Sequence, residues 1–140
     1  MALLLERRIG GNTLIHVKAM LCAESVIRDA QMGSISLINL VTHLTIDEFP
    51  STLTKLSVFA LLEREEGDPA KPSCSVELRL PNGQGEKVPL ALDFGAGTQS
   101  QIIMVGQGLP IMAPGEIVAT IRIDDAALAS WTILVRSKSA

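Results

Sequence analysis

A chain of 140 residues fits one domain, and at that size it buries about two-thirds of its unfolded surface without disulfide or metal staples. Charged residues make up only 19% against 47% apolar, and the net charge is −3, with no run of Lys or Arg longer than Arg7-Arg8. That balance argues against nucleic acid as a partner, the absence of Tyr and scarcity of Phe and Trp argue against stacking on bases or sugars, and no apolar run approaches a membrane span.

The chain opens on Met1-Ala-Leu-Leu-Leu5, followed by Glu6, Arg7 and Arg8. A signal peptide places its positive charge before a longer apolar stretch. The order here is reversed, so the expected compartment is the cytoplasm. Residues 1–13 show no period and are broken by Gly10-Gly11. They are expected to form a flexible arm or an added edge segment, leaving residues 14–136 as a single domain.

From Ile15 the pattern alternates, which marks strands with one buried face. Ile15, Val17, Ala19, Leu21, Ala23 and Ile27 share one parity, and His16, Lys18, Glu24 and Arg28 the other. Asp29-Ala-Gln-Met-Gly33 turns the chain into a strand over 34–46 that is apolar on both parities. Such a strand is expected to be central, or covered on both sides. Glu48-Phe49-Pro50 makes a connection, and 55–64 is again two-sided, with Leu56, Val58 and Leu62 against Phe59 and Leu61.

A charged loop from Glu63 to Pro72 follows. Cys74, Val76, Leu78 and Leu80 then alternate with polar residues, Asn82-Gly83 signals a hairpin turn, and Val88, Leu90, Leu92 and Phe94 return on one parity. A strand at about 98–105 leads into a Gly/Pro-rich loop, Gly106 to Pro114. Ile117, Ala119, Ile121 and Ile123 start a last hairpin. It turns at Asp124-Asp125 and returns with Trp131, Ile133 and Val135 pointing one way. No long stretch of helical period exists.

The expected fold is all-β: an antiparallel β-sandwich, immunoglobulin-like or C2-like, of about seven to eight strands. Cys22 followed by Asp29-x-x-x-Gly33, Ser36-Leu37-Ile38-x-Leu40 and Phe49-Pro50 resembles a family of small uncharacterised bacterial β-sandwich proteins. Pro114-Gly115-Glu116 and Ile121-x-Ile123-Asp124-Asp125 are similar to that family's closing hairpin. The resemblance covers about 22–135 and implies a fold, with no catalytic residues to carry over.

Little in the sequence carries chemistry. His16 and His43 belong to no metal-ligand spacing. Asp47 follows His43 by four residues, about 13 Å along a strand, too far for direct pairing. There is no Gly-x-Ser-x-Gly elbow. Gly83-Gln-Gly85, Gly95-Ala-Gly97 and Gly106-Gln-Gly108 lack the strand-to-helix setting of a phosphate loop and read as turns or bulges. No catalytic residue, cofactor or transition-metal site is expected. Cys22 and Cys74 read as two reduced core thiols.

Three functions remain. The first is a non-catalytic interaction or oligomerisation module that self-associates or meets another protein, with Ile35, Leu37, Val41, Phe59 and Leu61 as interface candidates. The second is a ligand- or Ca²⁺-binding sandwich using the loop at 106–115 or the carboxylates Asp29, Asp124 and Asp125. The third is an enzyme without a recognisable motif.

Overall fold

A computed structural model describes residues 8–9 and 13–138. Ten strands fill it: β1 (Arg8–Ile9), β2 (Thr13–Arg28), β3 (Ile35–Leu40), β4 (His43–Ile46), β5 (Ser51–Arg64), β6 (Cys74–Arg79), β7 (Gly85–Leu90), β8 (Gln99–Ile111), β9 (Gly115–Ile123) and β10 (Ala126–Ser137). They form two sheets, one ordered β1-β2-β5-β8 with β3 on β2, the other β4-β10-β9-β6-β7. The all-β sandwich read from the alternation is the observed class. Among the described residues no helix is long and apolar enough to cross a membrane.

The core lies between the sheets. Leu56, Val58, Ala60 and Leu62 of β5 meet Val76 and Leu78 of β6, Ile117, Ala119, Ile121 and Ile123 of β9, and Ile133 and Val135 of β10. Each set has a single parity, as period-two burial requires. Leu92 and Phe94 also enter the core, from the segment after β7. Cys22 and Cys74 are buried free thiols in that interior. Burial pushes their pKa values up to about 12 and about 11, because the thiolate would lose its water.

Both hairpins of the second sheet stand where expected. β6 and β7 pair across a turn in which Gly83 takes φ +86. β9 and β10 pair across Asp124 and Asp125, both at positive φ, as a two-residue turn matched to sheet twist demands. Arg64 ties the nearby loops together by donating to the carbonyls of Asp68, Gly95 and Gly97.

Several expectations need correction. The strand at 34–46 is two strands at the edges of different sheets, not one central strand. Asn39 adopts φ 57, and the chain crosses at Val41. The Val41 N–H donates to the Cys22 carbonyl in the first sheet, and its carbonyl accepts from Trp131 Nε1 of the second. β4 then lies parallel to β10, a departure from a purely antiparallel sandwich. With β1, this split raises the strand number from seven or eight to ten.

In β2 the register against β5 shifts between Val17 and Ala19. The extra residue, Lys18, inverts the parity beyond it. Val17, Met20 and Cys22 therefore face the core, while Ala19, Leu21 and Ala23 face outward. Gly106 to Ile111 is not a loop but the end of β8, paired to β5. Gly108 supplies a positive φ there, and Pro110 is accommodated because β8 is an edge strand. His43 is exposed.

Candidate functional site

The outward parity of the first sheet is apolar at its centre. Register places Leu21 of β2 beside Phe59 of β5, and Phe59 beside Ile103 of β8. Leu61 stands next in line, between Ala19 and Gln101. Phe59 is nevertheless only 8% exposed, and it is not part of the core between the sheets. Something on the outside covers it.

The cover is the hairpin made by the end of β2 and by β3. Ala23 pairs with Ser57. A straight continuation would carry Arg28 to residue 52. Instead Arg28 Nη2 donates to Gln101 Oε1 at 3.1 Å, and Gln101 is paired with Leu61. Residues 52 and 61 are about 30 Å apart along a strand. β2 must therefore bend back over the outer face of its own sheet. Two contacts mark the bend: Ser57 Oγ donates to the Glu24 carbonyl and Lys55 Nζ to Ser25 Oγ.

The two faces of this hairpin differ. Val26 and Leu37 pair, as do Arg28 and Ile35, and their side of the hairpin is the one that reaches the sheet. Val26, Ile35 and Leu37 are half-buried. The opposite side presents Ile27, Ile38 and Leu40 to solvent at 51%, 41% and 52% exposure. Ile38 pairs with Ser25 and Leu40 with Ala23, so these side chains neighbour one another diagonally. Among the described residues β3 pairs with no strand but β2, leaving one edge open.

The interface candidates divide accordingly. Ile35, Leu37, Phe59 and Leu61 line the seam between hairpin and sheet, and Val41 packs against the core. The exposed apolar residues of the hairpin's strands, Ile27, Ile38 and Leu40, are their neighbours on the other parity. Sequence reading missed Ile27, Ile38 and Leu40, because alternation alone does not say which face a folded-back strand leaves outside.

The carboxylates suggested for calcium occupy turns. Asp29 Oδ1 accepts from the backbone N–H groups of Gln31 and Met32, which hold its pKa below the ordinary range. Asp125 lies 2.6 Å from Lys87 Nζ, whose hydrogen bond and charge lower its pKa likewise. Asp124 is beside it in the β9–β10 turn. Among the described residues no three His, Cys, Asp or Glu side chains stand together as a metal site.

The outer face of the second sheet is polar and concave. A cavity of about 610 Å³ lies over β6, β9 and the start of β10, walled on one side by Ile15, His16 and Val17 of β2. Glu77, Arg79, Thr120 and Arg122 project into it. His16 Nε2 lies 3.8 Å from Glu65 Oε1. The sequence signal for this groove is the wet parity of two adjoining hairpins, Glu77-x-Arg79 and Thr120-x-Arg122.

Comparison with known proteins places this architecture. The family model that matches, over residues 18–136, is described as a family of unknown function (DUF6941). No curated protein matches the sequence. Among solved structures, the chain is similar to the Pseudomonas fluorescens alkylpurine DNA glycosylase AlkC bound to DNA containing an abasic site analog. The TM-score is 0.55 at 14% identity, over 87% of this chain and 30% of that protein. It is also similar to a β-glucosidase from Listeria innocua, with TM-score 0.49 and 12% identity over 89% of this chain and 16% of the enzyme. An immunoglobulin-like protein from Pseudomonas aeruginosa gives TM-score 0.46 and 12% identity, over 87% of this chain and 96% of its own. The chain thus spans less than a third of the glycosylase, and the likeness to it is one of fold.

Proposed function

We propose that this chain, which belongs to that family of unknown function, is a non-catalytic β-sandwich module that pairs with a second copy of itself through the open edge of β3. The observation that carries this reading is the exposed set Ile27, Ile38 and Leu40 beside an edge strand that has no charged residue, no proline and, among the described residues, no second neighbour. Sheet edges in natural proteins are blunted by charge, proline, bulges or shortness. Three of the other four edges follow that rule throughout, and β8 follows it at its end. β7 carries Glu86, Lys87 and Pro89, β8 carries Gly108 and Pro110, β4 has four residues and β1 two.

β3 reads Ile-Ser-Leu-Ile-Asn-Leu, with no charge and no proline. A copy of the same edge, laid antiparallel about a two-fold axis, meets it without like-charge repulsion and continues the hairpin as a four-stranded sheet. The apolar stripe then runs unbroken across both copies. Sedimentation velocity of the full chain tests this reading. The expected species is a dimer, and Ile38→Lys with Leu40→Lys converts it to monomer with an unchanged circular dichroism spectrum, since both positions are exposed. A wild-type chain that sediments as a monomer at about 0.1 mM, where any association tighter than that value is visible, overturns it. So does a double-lysine variant that dimerises equally well.

A further inference from the structure

The concave face of the second sheet has a chemistry that self-pairing at β3 leaves unused, and we infer that it binds a small organic anion, a carboxylate or phosphate carried on an apolar body. The register of β6 against β9 sets Glu77 opposite Thr120 and Arg79 opposite Val118. Arg122, opposite Ser75, is then diagonal to Glu77. Both guanidiniums converge on one oxygen. Arg122 Nη2 is 3.2 Å from Glu77 Oε1, and Arg79 Nη2 is 4.0 Å from the same atom.

The two arginines differ in what they have left to give. Arg122 is the more enclosed, and its Nη1 also donates to the Asp125 carbonyl at 3.2 Å. Arg79 is 61% exposed at its side chain. Its contact with Glu77 is too long for a hydrogen bond, and among the described residues it donates none. A guanidinium offers a planar fork of N–H donors suited to bidentate capture of a carboxylate or phosphate. One carboxylate shared by two guanidiniums leaves this hollow with excess positive charge on a chain whose net charge is −3.

The hollow has the shape as well as the charge. Its volume of about 610 Å³ lies within the usual range for small-molecule sites. Two bulges form its rim, one between Val17 and Ala19 in β2, the other between Ala127 and Ala129 in β10. Bulges re-aim side chains at such places. Leu128, the extra residue of the second bulge, and Val118 both line the hollow and supply apolar surface for the body of a ligand. Thr120 and Ser130 add hydroxyls. Glu77 repels a second negative group, so the anionic head is directed to Arg79 at the mouth.

The test uses ¹⁵N-labelled full-length chain at fixed ionic strength, titrated with phenyl phosphate, benzoate and, as a control, chloride. Saturable amide shifts are expected at 77–79, 118–122 and 128–130 with one or both aromatic anions, and whichever binds identifies the preferred head group. Arg79→Gln, at an exposed position, is expected to weaken that binding by about tenfold with an unchanged melting temperature. Absence of saturable shifts with both probes overturns the inference, and so does equal affinity in Arg79→Gln. A monomeric wild-type protein that still binds the probe separates this site from the pairing at β3.

Discussion

On the first sheet the residues that point away from the core include Leu21, Phe59, Leu61 and Ile103. On the second they include Glu77, Arg79, Thr120 and Arg122. The strands pair by the same rules and face the same interior. Their outer faces diverge because one is roofed by the chain itself and the other meets solvent. An apolar second parity in a strand such as β5 therefore signals a second layer of packing before it signals a partner. The exposed apolar surface moves outward to the back of the roof, where Ile27, Ile38 and Leu40 lie.

The most direct way to break this contrast is to truncate one residue on each outer face. Phe59→Ala removes a ring that the hairpin covers, and the expected loss is about 3 kcal/mol, the lower end for buried aromatic truncation. Thr120→Ala, on the wet face, is expected to stay within about 0.5 kcal/mol of wild type. Urea unfolding of both variants measures the difference. Equal small losses would show that the hairpin does not seal the first sheet.

The two sheets contribute one thiol each to their shared interior, Cys22 from β2 and Cys74 from β6. Both pKa values are raised by burial above the ordinary 9.0. A raised folded-state pKa gives stability that is complete below the unfolded value and disappears as pH climbs through the folded one. Between pH 8 and 10 the unfolded thiols ionise and the folded ones do not. The expected loss of stability is about 1 kcal/mol for each thiol, about 2 kcal/mol together. Urea melts of wild type, Cys22→Ala and Cys74→Ala across that range check it. A slope unchanged by either substitution would mean that water reaches the thiols, and that the interior is less continuous than the packing indicates.

The legibility of the fold followed the same division. Cys74 to Leu80 and Ile117 to Val135 were readable because each strand has one wet face, and Asn82-Gly83 and Asp124-Asp125 fix register through turn chemistry. The first sheet resisted. A single extra residue at Lys18 inverts parity without changing composition, and Asn39 hides a crossing between sheets inside an apolar run. Gly108 and Pro110 resemble a loop although an edge strand tolerates both. The bend in β2 has no signature in alternation, which records which side a residue faces and not how far the strand curls. The groove was half readable: Glu77, Arg79 and Arg122 sit on wet parities, yet only the pairing of β6 with β9 brings them to one place.

The clasp between Arg28 and Gln101 sharpens the contrast with the smallest energetic change. It is an exposed hydrogen bond between side chains 73 residues apart, and it joins the tip of the hairpin to the sheet beneath. Removing it by Arg28→Ala leaves Phe59, Leu61 and the half-buried Val26, Ile35 and Leu37 in contact, so the global cost is expected to be no more than about 1 kcal/mol. The effect on local opening is expected to exceed what that cost implies, because a hairpin whose outer side faces water opens without unfolding the core. Hydrogen exchange at the amides of 26–37 should then quicken by more than exchange at 117–123 in the second sheet. Parallel acceleration at both places would mean that the roof and the core unfold as one unit, and that the first sheet keeps its cover through packing at the seam rather than through its tip.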